Sequence, residues 1–299
     1  MTKGGAMLDL IGLTLATAVL SGCAWQSVSP HPHYVLGEPW HAGPVWHYPA
    51  EDYTLDETGL AGVIANHPAS LTTDGEPFDQ SAMAAAHPTL QLPAIARVTN
   101  LENGRSVKVR INDRGSGSPH YLVEVTRRVA DLLGIGPHQA GRVRVQVLSG
   151  PSHAVADTLP DAPRLAIRAV PRGNVEVAEL PSASSDAHGA GGYPLPDTRA
   201  PGGGLPVEPV LERLPETVTQ GRPDPGHLWV RLGSFEEYQY AAILRARLSA
   251  LHPRITQLTQ DNSPQFRVEI GPMDDVPRAE SLLDQALRAG VPDARIVVE

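Results

Sequence analysis

Two short stretches of the chain carry most of the groups that can move protons in a confined site. Asp74-Gly75-Glu76-Pro77-Phe78-Asp79 brings three carboxylates close together, and Asn112-Asp113-Arg114-Gly115 sets another beside a guanidinium. His87-Pro88 lies between them, and Arg110 precedes the second stretch. Carboxyl groups that converge in a cleft do acid–base work, provided burial or a like-charged neighbour raises one pKa toward neutrality. Each stretch also has a plainer reading. Asp-Gly is a β-turn, Asp-Arg-Gly is a turn with a salt bridge, and a histidine before proline is commonly structural. A different chemistry belongs to Cys23, the one cysteine. A single thiol excludes an internal disulfide framework and any multi-thiolate metal cluster, but a thiol that follows Leu20-Ser21-Gly22 can be acylated.

The surrounding sequence says how these groups are carried. Lys plus Arg is 24, Asp plus Glu is 33 and the net charge is −9, which argues against a nucleic-acid binder. The 28 glycines and 29 prolines exceed the average combined usage of roughly 12%, so much of the chain is expected to be turn or linker. A hydrophobic fraction of 41%, a little under the globular norm of about 45–50%, argues against wholesale disorder. Lys3 and the apolar run 10–20 read as an export signal, with Asp9 a blemish at its edge. Leu20-Ser21-Gly22-Cys23 then matches a bacterial lipobox, so residues 1–22 are a lipoprotein signal peptide and Cys23 the lipidation site. Ala24, which is not the aspartate that retains lipoproteins at the inner membrane, favours an outer-membrane anchor facing the periplasm.

Residues 23–58 follow as a tether rich in Pro, His, Trp and Gly without helical or strand period. His31, His33, His41 and His47 make at most a loose metal site there, and the tether reading is preferred. Residues 59–150 show alternation at Ala94–Thr99, Ser106–Ile111 and Arg142–Val147, which predicts half-buried strands. Asn103-Gly104 predicts a hairpin turn between the first two. A helix from Thr126 to Leu133 ends at Gly134. Many strands and few helices indicate a small barrel. Residues 151–225 read as a disordered linker. Residues 226–299 regain pattern in the order βαββαβ, with strands near 228–232, 255–258, 266–270 and 294–298 and helices near 237–250 and 276–289, an α+β fold of the ferredoxin-like kind.

The string from Ala84-Ala85-Ala86-His87-Pro88-Thr89-Leu90 through Arg97-Val98-Thr99-Asn100-Leu101-Glu102-Asn103-Gly104-Arg105-Ser106-Val107 to Arg110-Ile111-Asn112-Asp113-Arg114-Gly115 resembles the rare lipoprotein A (RlpA) family. These are septal lytic transglycosylases with a double-psi β-barrel. Asp74-Gly75-Glu76-Pro77-Phe78-Asp79 looks like that family's Asn-Gly-Glu-x-Tyr/Phe-Asp motif. The family's Ala-Ser-Trp-Tyr-Gly opening is replaced by Ala61-Gly62-Val63-Ile64-Ala65, and its Pro-Phe after Asn-Asp-Arg-Gly by Ser116-Gly117. In the C-terminal segment, Val230-Arg231-Leu232-Gly233-Ser234-Phe235, Phe266-Arg267-Val268-Glu269-Ile270-Gly271-Pro272-Met273 and Gly290-Val291-Pro292-Asp293-Ala294-Arg295-Ile296 together resemble a SPOR domain, a peptidoglycan-binding module.

The resemblance implies a mainly β plus α+β chain: a barrel, a Pro/Gly linker and a SPOR domain. It implies that the substrate is peptidoglycan glycan strands stripped of stem peptides, cut with formation of 1,6-anhydro ends at the division septum. Glu76 and Asp113 are the implied acid/base pair, with the assignment between them open. Asp79, His87, Arg110 and Arg114 are implied substrate contacts, with His87 hydrogen-bonded to one of the carboxylates. Tyr238 and Tyr240 are possible glycan contacts of the C-terminal module. No motif calls for a metal or organic cofactor. The expected partners are glycan, membrane through the lipid anchor, and possible divisome proteins. The competing reading is a non-catalytic septal binding lipoprotein, since the Trp-Tyr-Gly opening is lost. A further alternative is a wall-loosening barrel without glycosidic turnover.

Overall fold

The computed structural model describes residues 29–64, 69–163, 212–260 and 263–299. The signal segment, Cys23 and the central part of the expected linker lie outside the described residues. Two three-residue strands come first, β1 (Trp40–Ala42) and β2 (Val45–His47), paired as a small hairpin. The barrel follows with β3 (Asp56–Val63), β4 (Ala84–Ala86), β5 (Ala94–Asn100), β6 (Arg105–Asp113), β7 (Val123–Val125), α1 (Arg127–Leu133) and β8 (Gly141–Val147). Its strands run in the order β4-β7-β3-β8-β5-β6, and β6 closes back on β4. The pairs β3–β7 and β4–β6 are parallel and the other neighbours antiparallel.

Alternation explains the long strands. Val98, Val107, Val109, Val143 and Val145 point into one core and are essentially inaccessible, as β-branched residues on a half-buried pleat should be. Helix α1 has the expected punctuation. Thr126 caps it, accepting from Val129 N–H at 3.4 Å, and Gly134 ends it in the left-handed region at φ 73°.

Two expectations are corrected. Residues 29–50 are not a loose tether: they are laid on the barrel. His31 N–H bonds Gly75 O, His33 N–H bonds Asp74 O, and Val35 and Leu92 exchange backbone bonds. Proline-rich backbone has few donors of its own, so a segment without periodicity can still be held by pairing with its neighbour. Nor does the linker begin at 151 or run on to 225. Helix α2 (Ser149–Ala156) buries Ser152, whose hydroxyl bonds both the N–H and the C=O of Ile95. At the far end, β9 (Thr219–Gln220) pairs with β6.

The C-terminal domain has the βαββαβ order read from the sequence: β10 (Leu228–Phe235), α3 (Tyr238–Arg247), β11 (Arg254–Gln260), β12 (Ser263–Met273), α4 (Val276–Arg288) and β13 (Arg295–Val298). Its antiparallel sheet runs β11-β12-β10-β13. In α4, Ala279, Leu283 and Ala286 are buried, the i, i+4, i+7 stripe of a one-faced helix.

This domain sits against the barrel. Leu60 of β3 is fully buried in the C-terminal core, and Thr58 Oγ1 donates to Val298 O at 2.6 Å. Arg142 spans the joint, donating to the carbonyls of Pro225 at 3.2 Å, Gly226 at 2.9 Å and Asp274 at 2.6 Å.

Candidate active site

The two acid-bearing stretches meet because β4 and β6 are neighbours with a shifted register. Ala85 pairs with Ile111, but Ala86 pairs with Asp113, so Asn112 is an extra residue in β6. Such a bulge re-aims the side chains at it. Asn112 Nδ2 donates to Glu76 Oε2 at 3.0 Å. Asp113 Oδ1 accepts from Thr73 Oγ1 at 2.5 Å, Thr73 N–H at 3.1 Å and Arg114 N–H at 2.9 Å. The 72–76 loop is thus fixed to the end of β6 from both sides. Gly75 at its tip has φ +83°, and a Cβ there would lie 2.4 Å from His31 O, so a left-handed glycine is required.

Glu76 lies at the edge of a cleft of about 450 Å³ lined also by Asp79, Met83, Arg110, Arg213 and Leu214. Arg110 Nη1 holds its carboxylate at 3.3 and 3.2 Å, and both side chains are buried. Asp79 caps its own turn, accepting from Ser81 N–H at 2.8 Å and Oγ at 2.6 Å. These hydroxyl and amide donors hold its pKa below the usual carboxylate range. Asp113 and Glu76 border a small cavity of about 30 Å³.

Asp74, read from sequence as a turn residue, is the titratable group that reading missed. It is fully buried, with Oδ1 accepting from Thr72 Oγ1 at 2.7 Å and Glu76 N–H at 3.2 Å, while Oδ2 has no partner among the described residues. Burial, and then the charge of Glu76, push its pKa up to about 8. Two carboxylates in one low-dielectric site cannot both ionise cheaply, so the site retains a proton at neutral pH. A signal was present in the sequence: Asp74 stands where the resembling family's motif has Asn, and a protonated aspartate is the nearest match to an amide.

Two of the residues named from sequence, His87 and Arg114, take other positions. His87 does not bond either carboxylate. Its Nδ1 accepts from Leu90 N–H at 3.2 Å and Thr89 N–H at 3.3 Å, and the ring is buried beside the β1–β2 hairpin. Burial, followed by the Arg114 charge, lowers its pKa to about 3, so the ring is neutral. Arg114 is turned inward rather than toward a substrate. It donates to Leu36 O at 2.5 Å, to His87 O at 3.4 Å and to Leu90 O, and so secures the N-terminal arm. Tyr238 and Tyr240 are half-exposed on α3, and Tyr238 meets Phe266 edge-on at 5.5 Å. Glu76, Asp79 and Arg110 are therefore brought to one cleft, Asp113 fixes the loop that carries Glu76 by accepting from Thr73, and His87 and Arg114 stand apart from it, while Tyr238 and Tyr240 lie on the C-terminal domain.

A family model described as "Lytic transglycolase" matches residues 60–147, and one described as "SPOR domain" matches residues 224–296. The endolytic peptidoglycan transglycosylase RlpA of Escherichia coli strain K12 is 30% identical over 271 residues, covering 76% of this chain and 74% of that protein. RlpA of Pseudomonas aeruginosa strain UCBPP-PA14 is 30% identical over 267 residues, covering 85% and 73%. A crystal structure of the RlpA SPOR domain from Pseudomonas aeruginosa aligns with 24% of this chain and 99% of its own at 21% identity and a TM-score of 0.23. With its barrel matched by a lytic transglycosylase model, its C-terminal module by the SPOR model, and relatives of this similarity along most of its length, the chain belongs to the RlpA family of endolytic peptidoglycan transglycosylases.

Proposed function

We propose that this protein is an outer-membrane lipoprotein that cuts peptide-free glycan strands between N-acetylmuramic acid and N-acetylglucosamine at the division septum, leaving 1,6-anhydro ends. The observation that carries the reading is Glu76, held by Arg110 and Asn112 at the edge of an open cleft. In this reaction a carboxyl group gives its proton to the glycosidic oxygen as the bond to C1 breaks. The muramic 6-hydroxyl then closes on C1, and its proton returns to the carboxylate, so no water is consumed. Glu76, which borders the open cleft, is the group assigned to reach the sugar. Asp74 keeps a proton in the same site, and Asp113 holds the loop that carries both. The C-terminal domain brings the barrel to glycan, and the lipid on Cys23 keeps the protein at the membrane.

The test incubates the chain from Ala24 onward with peptide-free glycan strands and measures anhydro ends by mass spectrometry. Anhydro products that vanish in Glu76→Gln are expected. A second reading, a glycan-binding lipoprotein with a silent barrel, draws on the replacement of the aromatic opening by Ala61-Gly62-Val63-Ile64-Ala65. Pelleting with glycan and no products at any pH from about 5 to 8, where a tuned carboxyl group works, would establish that reading instead.

A further inference from the structure

Residues 212–221 lie on the barrel 88 or more positions from the residues they touch. The carbonyl of Glu212 accepts from Arg110 Nη2 at 2.5 Å, on the same guanidinium that holds Glu76. Arg213 stands 3.6 Å from Asp79. Leu214 packs against the barrel core, and Glu216 pairs with Arg128. Downstream, Thr219–Gln220 adds to the edge of β6, and Gly221 N–H donates to Gly104 O at 2.8 Å. The segment therefore satisfies the polar groups of the cleft that a saccharide would otherwise meet: a carbonyl oxygen sits on the arginine and a cation sits on the aspartate. Its hold is shallow, because exposed ion pairs contribute little and a two-residue strand adds few bonds.

We propose that residues 212–218 form an intramolecular strap that takes the place of glycan beside Glu76 and Arg110, and that it lifts before a strand can be bound there. This rests on the reading of the cleft as the glycan site. A weakly held segment leaves an open state populated at about 0.1–10%. Apparent glycan affinity of the barrel is then reduced by that fraction, roughly 10- to 1,000-fold.

The test compares the chain from Ala24 onward with a variant carrying Arg213→Ser, Leu214→Ser and Glu216→Ser, using peptide-free glycan strands. Two readouts are taken: the rate of anhydro-end formation below saturation, and glycan-dependent protection of residues 72–84 from hydrogen exchange, which needs no turnover. At least about tenfold gain in both is expected, together with faster exchange of residues 212–220 in the unaltered chain when glycan is added.

The opposite manipulation is Arg105→Cys with Gln220→Cys, residues that face each other across the β6–β9 pair. This chain starts after Cys23, so the introduced pair are its only thiols. Oxidation should slow cutting and reduction restore it. Equal rates and equal protection in the serine variant and the unaltered chain would overturn the strap and leave the enzyme reading intact. Weaker binding by the serine variant would also overturn it, making the segment part of the glycan site. Greater protection with no product from either protein would keep the strap and remove the catalytic reading. Neither protection nor product in either would remove both.

Discussion

Asp74 has a raised folded pKa, so its contribution to stability runs opposite to that of a salt-bridged aspartate. Below about pH 4 the carboxyl group is protonated in both the folded and the unfolded chain and costs nothing. Between about pH 4 and its folded value of about 8, the unfolded chain releases the proton and the folded chain keeps it. Stability therefore falls with rising pH across that window, by at most about 1.4 kcal/mol per unit. Asp74→Asn should remove this slope. Its amide oxygen can accept from Thr72 and Glu76 N–H, and its NH2 replaces the unpartnered Oδ2. Urea unfolding at pH 4, 6 and 8 checks this; parallel curves for the two proteins would contradict it. Arg110 is the complementary case. Arg110→Met strips Glu76 of its buried cation, and breaking such a pair costs about 3–5 kcal/mol. Adding Glu76→Gln to that variant should recover much of the loss, because the stranded charge is gone.

At the scale of elements, Thr126 joins the helix to the cleft. Its hydroxyl donates to Ala82 O at 2.7 Å and accepts from Val129 N–H, while its own N–H reaches Ala84 O at 3.2 Å. Thr126→Val keeps the shape and loses both hydroxyl bonds, so a loss of about 1–2 kcal/mol is expected from the cap alone. Hydrogen exchange should quicken at Ala82–Ala84, where a purely helical effect would leave that segment unchanged.

This element was legible in the sequence, as were β5, β6, β8 and the whole C-terminal order, because each carries a period or a stop signal of its own. Residues 29–50 and 212–221 carry neither. Their backbone groups are satisfied by the barrel, so only the folded partner reveals their structure. The site divides in the same way. Glu76, Asp79 and Arg110 were found through motif resemblance, since spacing alone does not bring residues 76 and 110 together. The burial of Asp74, the inward turn of Arg114 and the neutral ring of His87 depend on the bulge at Asn112 and on the N-terminal arm, neither of which leaves a local pattern.

At the scale of the molecule, the barrel and the C-terminal domain share a joint that is both apolar and polar. Leu60 belongs to the barrel by sequence and to the C-terminal core by contact. Arg142 is buried and bonds three carbonyls from the segment and domain that follow. Domains joined by small polar contacts move independently, whereas a joint that buries a leucine and a guanidinium couples them. The unaltered chain should therefore unfold in one calorimetric transition. Leu60→Ala opens a cavity worth about 2–5 kcal/mol, and Arg142→Ala leaves three carbonyls without their donor. Combined, the two substitutions should split the transition in two, with the C-terminal domain still folded after the barrel has melted or the reverse. They should also separate glycan pelleting, which the proposed function assigns to the C-terminal domain, from cutting, which it assigns to the barrel. A single transition that merely shifts to lower temperature would mean that other contacts couple the two domains and that Leu60 and Arg142 are not what joins them.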